Sequence, residues 1–351
     1  MIRNLHELCN IQYGYAFDSA SFTDDASYTP LVRIRDVKRG YSETYYSGAY
    51  SDEYIIRAGD LLVGMDGEFN AAKWKSRDAL LNQRVCKIIA KKETDGEYLR
   101  FALSVALKII EERTAFVTVK HLSVKELNKI KIQAPSYEEQ KNIAGILLRI
   151  EEIIQAKQDE LRKLDSLIKA RFVEMFKDED PVFAFDDVLI DDTKNGFKLD
   201  SSNYSNLGKI AIVDQGQKRI CGYINAVDGK APWSKEAIIF GDHTEMFKYI
   251  NFPFYLGADG AKLLSPKNGW NARFLYHYLD VNYHKRLGYM RHFKYLKEMS
   301  FIKPDLYRQE EFCMFCTQVD KSKFALSNEL AMGNFYIRLI YDCIMHSCID
   351  L

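Results

Sequence analysis

The feature that most constrains this chain lies in its middle. Between residues 136 and 177 there is no proline and a single glycine, Gly145. Leu147, Ile154, Leu161, Ile168 and Met175 recur every seven residues, with Ile150 and Leu164 at intermediate positions where Lys157 and Arg171 interrupt the row. Such a seam predicts a coiled coil or a long bundle helix. Pro135 stands before its start, and Ser136 with Glu139 forms a capping box. The acidic run 177–180 and Pro181 mark its end. About forty residues at 1.5 Å each predict a rod of roughly 60 Å.

Two blocks of similar size flank the helix, 1–135 and 178–304, and both mix short strand-like runs with helices. In the first, 31–35, 60–64, 84–89 and 130–132 read as strands. Residues 98–113 read as an amphipathic helix, and Ser123 with Glu126 caps a short one. In the second, 209–213, 237–240 and 254–256 read as strands and 271–283 as a helix. The blocks resemble diverged copies. From the prolines onward, an offset of 169 residues aligns Pro135 with Pro304, Gln140 with Gln309, Ile143 with Phe312 and Leu161 with Leu330. His121 falls near His292, and 64–66 near 241–242. The order globule, helix, globule, helix is the stronger signal.

At this point the chain, over about residues 5–330, resembles the specificity (S) subunits of type I restriction–modification systems. The resemblance rests on segments 29–36, 59–66 and 82–85, on 135–144 leading into 161–170, and on 213–217, 241–244 and 291–296. It implies an α+β chain of two repeat-related target recognition globules separated by long coiled-coil helices. The domains would be 1–135, the central helix 136–177, the second recognition domain 178–304 and a second helix 305–351. Each globule would read half of a split duplex target. The helices would dock methyltransferase (M) subunits, with restriction (R) subunits joining that core. The subunit itself would be non-catalytic and bind no cofactor. S-adenosylmethionine, ATP and Mg would reside on the partners alone. The chain departs from the family pattern at its end. Gly333-Asn334 reads as a helix stop, and the tail from Phe335 onward is apolar. The second helix is therefore expected to be truncated. A silent cassette acting only as a coiled-coil adaptor is the alternative, and a second S chain completing the helix pair is a further possible partner.

Charge decides how DNA would have to be met. Lysine plus arginine and aspartate plus glutamate both number 49, which excludes binding through overall basicity. Local clusters remain. Positions 73–92 hold seven cations against Asp78, and 284–297 hold five with no acid. Arg35, Lys38 and Arg39 form a third cluster. Such groups neutralise phosphates, while planar amides and guanidiniums read base edges. The candidate DNA contacts are Arg35, Lys38, Arg39, Lys73, Lys75, Arg77, Asn82, Gln83, Arg84, Lys120, His121, Gln215, Gln217, Lys218, His243, Arg291, His292 and Lys294. Asn82 to Arg84 are read as opening a strand, where alternate side chains face the groove. His121 and His292 either contact DNA or are satisfied within their domains. The candidate docking seam is Leu147, Ile150, Ile154, Leu161, Leu164 and Ile168.

Other classes find little support. There is no Asn/Asp-Pro-Pro-Tyr/Phe pocket for a flipped adenine, no Gly-rich nucleotide loop and no nuclease-like Asp…Glu-x-Lys spacing. This speaks against a stand-alone methyltransferase or nuclease. Cys313 and Cys316 read as small apolar residues in a helical stripe, because a zinc site needs a second ligand pair. Seven poorly spaced cysteines do not suggest a disulfide framework. No apolar run approaches the ~18 residues of a spanning helix. The expected location is cytoplasmic.

Overall fold

A computed structural model describes residues 1–113, 122–257, 260–284 and 290–346. The chain divides into two compact units, 1–157 with 329–351, and 158–328.

The first unit opens with β1 (Ile2–Asn4), α1 (Leu5–Leu8) and β2 (Cys9–Tyr13). Then come β3 (Phe22–Thr23), β4 (Thr29–Val32), α2 (Ile34–Arg39), β5 (Tyr45–Tyr46) and β6 (Ile55–Ile56). Next are β7 (Leu61–Gly64), β8 (Ala71–Lys73), β9 (Ala79–Leu81) and β10 (Val85–Ala90). Helices α3 (Gly96–Arg113) and α4 (Val124–Lys129) precede β11 (Lys131–Gln133) and the 40-residue α5 (Tyr137–Phe176). The main sheet has the order β2-β10-β7-β8, and a second has the order β3-β5-β4-β9-β6. The main sheet packs on α3 through Val63, Cys86, Ile88, Leu99 and Leu103, with Ala144 of α5 joining that core.

The second unit repeats the plan. It contains β12 (Phe183–Ala184), α6 (Phe185–Val188), β13 (Leu189–Asp191), β14 (Ile210–Val213) and β15 (Gly222–Ile224). It continues with β16 (Ala237–Gly241), β17 (Phe247–Ile250), β18 (Phe254–Leu256) and β19 (Ala261–Pro266). It closes with α7 (Ala272–Asn282), α8 (Phe293–Leu296), β20 (Ser300–Phe301) and the start of the 41-residue α9 (Leu306–His346), whose residues from 329 on belong to the first unit, as residues 158–176 of α5 belong to the second. Its main sheet has the order β13-β19-β16-β17, which is the first unit's order with each strand replaced by its counterpart. A parallel pair also recurs: β4 beside β9, β14 beside β18.

The offset of 169 holds at atomic detail. Gln140 and Gln309 are both buried, at 2% and 0% exposure. Gln140 Nε2 donates to Pro135 O (3.0 Å) and Glu93 O (3.4 Å), and its Oε1 accepts from Asp95 N (2.9 Å). Gln309 Nε2 donates to Pro304 O (2.8 Å) and Gly269 O (3.2 Å), and its Oε1 accepts from Asn271 N (2.9 Å). In each unit one glutamine ties the start of a long helix to the start of the helix on the sheet.

Within each unit the long helices run antiparallel. Lys157 meets Glu329 at 2.9 Å in the first unit. In the second, Arg308 meets Glu179, and Lys323 donates to Asp165 at 2.5 Å. The two charged interruptions of the seam thus find partners: Lys157 pairs across, and Arg171 bonds Glu174 at 2.8 Å while lying 6.0 Å from the Phe315 ring centre.

Two expectations are corrected. First, the second helix does not stop at Gly333: α9 runs through Gly333-Asn334 to His346. An interior glycine costs only about 1 kcal/mol of helix propensity. Here it lets Ile154 approach, since a Cβ on Gly333 would lie 3.3 Å from Ile154 Cγ1. Second, 31–35 is not a strand. β4 ends at Val32, Arg33 serves as N-cap and α2 begins at Ile34. The buried Asp36 accepts from Arg33 N at 2.9 Å, and left-handed Gly40 closes the helix, so local capping outweighs the strand-like sequence.

Cys313 and Cys316 lie on α9 as free thiols, Cys316 fully buried in the core. Burial pushes both up to about 12. Among the described residues no helix is long and apolar enough to cross a membrane.

Candidate nucleic-acid interface

In the second unit three segments meet beside the end of the main sheet: the turn 214–219 after β14, the β16–β17 turn, and 290–293 before α8. Thr244 Oγ1 donates to Gln215 O (2.6 Å), and His243 N donates to Gln215 Oε1 (3.2 Å). His292 N donates to Asp242 O and Phe293 N to Asp242 Oδ1, both at 2.8 Å. His243 Nδ1 lies 3.2 Å from Met290 O. Two glycines permit this packing. A Cβ on Gly241 would lie 2.0 Å from Thr244 Oγ1, and one on Gly260, whose φ is +93°, would lie 2.5 Å from Gln215 Nε2.

The junction sorts the predicted residues. Gln215 is held inside it. His292 is 1% exposed, with Nδ1 3.4 Å from Glu245 Oε2. A side chain so enclosed has no surface to present to a groove, so the reading of His292 as a DNA contact is replaced by its internal role. Its partner Glu245 is itself buried, accepts from Tyr283 Oη at 2.8 Å and adopts a left-handed φ of 53°. Gln217, Lys218, Arg291 and Lys294 are exposed, and His243 is half-buried. Lys294 Nζ lies 4.6 Å from the Tyr295 ring centre.

The first unit has an equivalent junction. Leu122 N donates to Met65 O (2.7 Å), as His292 N does to Asp242 O, and Met65 N donates to Arg84 O (3.0 Å). Asn82 to Arg84 form a turn between β9 and β10 rather than the start of a strand, closed by Val85 N on Asn82 O (2.9 Å). Strand alternation therefore does not restrict them. Gln83 is exposed, Asn82 Oδ1 accepts from Gln83 N (2.8 Å), and Arg84 Nε lies 3.3 Å from Asp66.

Arg35, Lys38 and Arg39 belong to α2. Arg35 reaches Thr44 Oγ1 at 3.3 Å, Lys38 bonds Glu68 at 2.6 Å, and Arg39 lies 3.9 Å from Glu43. Most of the basic run 73–92 is engaged within the fold: Lys87 lies 2.7 Å from Asp60, and Lys91 donates to His6 O at 2.6 Å. Lys73 bonds Glu97, and Arg77 donates to the carbonyls of Ala26 (2.7 Å) and Tyr28 (3.0 Å). Lys75 is exposed and lies across Gly40. Burial raises the Glu97 carboxyl, but the bonds from Lys73 and Arg100 outweigh it and hold the group below the usual carboxylate range. Arg100 extends the network to Glu151 at 2.8 Å. Lys120 and His121 lie outside the described residues.

The docking seam is graded. Leu147 and Ile168 are buried, at 1% and 5% exposure. Ile150, Ile154, Leu161 and Leu164 are half-buried. Ile146 and Ile153 on α5 and Phe324 on α9 are exposed.

Lys248 escaped the sequence reading. It lies on β17, is 7% exposed, and donates to Asp214 O (2.7 Å) and Lys218 O (2.6 Å). A lone lysine in a strand carries no signal of such a role.

Residues 1–165 match the model of the type I restriction modification DNA specificity domain. The chain is 39% identical over 167 residues to the Escherichia coli type I restriction enzyme EcoBI specificity subunit, a match covering 47% of this chain and 35% of that protein. It is 26% identical over 150 residues to the MjaVIII specificity subunit of Methanocaldococcus jannaschii, covering 42% of this chain and 35% of that one. The matches thus span about a third of these relatives' length. Among solved structures, the type I S subunit from M. genitalium superposes with a TM-score of 0.56 at 15% identity, covering 98% of this chain and 95% of that one. A chain from a structure of type I complex assembly and conformational transition gives 0.54 at 14% identity, covering 98% and 97%. These two likenesses concern the fold. The specificity-domain match and the identity to the E. coli subunit concern the first half of the chain, which is similar to the DNA specificity domain of type I restriction–modification systems.

Proposed function

We propose that this chain selects the DNA target of a type I restriction–modification complex and performs no catalysis itself. The carrying observation is the recurrence of one sheet order, with one loop junction at the same place in it, in both units. On this reading each junction meets one half of a bipartite duplex target. In the first unit Lys75, Gln83 and Arg84 would meet DNA, with Arg35, Lys38 and Arg39 flanking. In the second, Gln217, Lys218, Arg291 and Lys294 would do so, with His243 at the edge. Lysines act on phosphates as point charges, while planar amides and guanidiniums read base edges. Helices α5 and α9 would dock the methyltransferase subunits, to which restriction subunits add. S-adenosylmethionine, ATP and Mg belong to those partners.

The alternative is a truncated or silent cassette, altered at its C-terminus, that acts only as a coiled-coil adaptor. The test is to express the chain with an adenine methyltransferase subunit in cells lacking other methylation and to sequence modified adenines. One split motif that disappears with the chain is expected. Methylation that does not depend on the chain would overturn the proposal.

A further inference from the structure

The two units organise the segment after their parallel strand differently. In the first it is α2, which closes itself by helical hydrogen bonds and a left-handed Gly40. In the second, 214–219 forms no helix, and Gly216 N donates to Asp214 Oδ1 at 2.8 Å. Something outside the turn must hold its shape. Lys248 stands where it can. It faces Ile239 across the β16–β17 ladder, the place of Ala72 opposite Leu62 in the first unit. Its ammonium reaches the carbonyls at both ends of the turn, Asp214 O at 2.7 Å and Lys218 O at 2.6 Å, with Asp214 Oδ1 at 3.4 Å. Three acceptors match the three donors of an ammonium. Such a buried charge is retained only where it is hydrogen-bonded and paired.

We infer that Lys248 is a positioning residue for DNA specificity in the second unit: it clamps the 214–218 turn so that Gln217 and Lys218 are presented in one geometry. It touches no DNA itself. Thr244, whose hydroxyl holds Gln215 O at 2.6 Å, is the second tether. The inference rests on the DNA-reading function proposed above and adds which buried group sets half of the specificity. A base contact discriminates by roughly 1–3 kcal/mol only while its amide or guanidinium is aimed correctly, which corresponds to about 5- to 150-fold in affinity.

The test compares the full chain with Lys248→Met, which keeps the stem and removes the donors, and with Thr244→Val, an exposed position where folding is not at stake. Three readouts are taken: thermal melting, hydrogen–deuterium exchange of the 214–219 peptide, and the motif enriched from random-sequence duplex DNA. For Lys248→Met the expected result is faster exchange in that peptide, unchanged affinity for random duplex, and loss of sequence preference in one half of the motif by about tenfold or more. Thr244→Val should move both in the same direction by less. If Lys248→Met proves unfolded, Thr244→Val decides alone, and its unchanged exchange and motif would overturn the inference. A Lys248→Met chain that folds and enriches the wild-type motif would also overturn it. A wild-type chain that enriches no motif would overturn the DNA reading beneath it, and the exchange data then still report separately whether Lys248 clamps the turn.

Discussion

Replacing Gln309 by leucine should destabilise the second unit severely although the volume hardly changes. Three backbone groups depend on this side chain: Asn271 N–H at 2.9 Å, Pro304 O at 2.8 Å and Gly269 O at 3.2 Å. Gln309 is fully buried, so water cannot replace it without rearrangement. A buried polar group left without a partner costs about 1–3 kcal/mol, and partial relaxation brings the sum to roughly 3–5 kcal/mol. That is a large fraction of the ~5–15 kcal/mol by which domains are stable. The damage should be local first. Asn271 caps α7, its Oδ1 accepting from Arg273 N (2.9 Å) and Phe274 N (3.1 Å), so losing its backbone tether loosens that helix start. Urea unfolding followed by fluorescence of the buried Trp270 measures the loss, and amide exchange at Asn271 locates it. Gln309→Glu should also destabilise at neutral pH, because a carboxylate would face two carbonyl oxygens, and should recover partly on acidification, when it regains a donor. Gln140→Leu should cost less, since one of its three bonds is 3.4 Å long. A Gln309→Leu loss below about 1 kcal/mol would refute the reasoning.

Other expectations are quicker to check. Gly333→Ala should gain up to about 1 kcal/mol of helix propensity, offset by a Cβ 3.3 Å from Ile154 Cγ1, so a urea melt should show a change within about 1 kcal/mol, and a larger loss would count against an interior helical position. Burial lowers the pKa of His277 to about 4, with Arg273 adding to the effect. The unfolded chain therefore takes up the proton first. Stability from this site is complete above pH ~6.5 and falls as pH drops toward 4, and His277→Leu should flatten that part of the urea-midpoint profile. Lys294→Ala should weaken cognate and random duplex alike and lower the salt slope by about one, measured by fluorescence anisotropy. Lys73→Ala should instead leave DNA affinity unchanged and cost stability, because Lys73 is bonded to Glu97.

The local signals were legible in the sequence because they act over a few residues. The heptad row and the Ser136 and Ser123 capping boxes mark α5 and α4 nearly to the residue. The repeat was legible too, since Gln140 and Gln309 keep the same job and therefore the same letter. Two readings misled, one through local capping and one through a neighbour distant in sequence. Segment 31–35 looks like a strand by composition, yet the buried Asp36 and Gly40 make a helix of its second half. Gly333-Asn334 looks like a stop, yet the close approach of Ile154 in the opposing helix accommodates the glycine inside α9. The candidate interface shows the same division. A sequence lists which cations and amides exist. Only the tertiary structure decides which are already taken. Glu97, the carbonyls of Ala26 and Tyr28, and Glu245 occupy or enclose Lys73, Arg77 and His292, while Gln217 and Arg291 stay at the surface. Lys248 marks the limit most sharply. Its three acceptors lie 30 and 34 residues away, and no periodicity along the chain records a hydrogen bond that closes only when β14 and β17 come together.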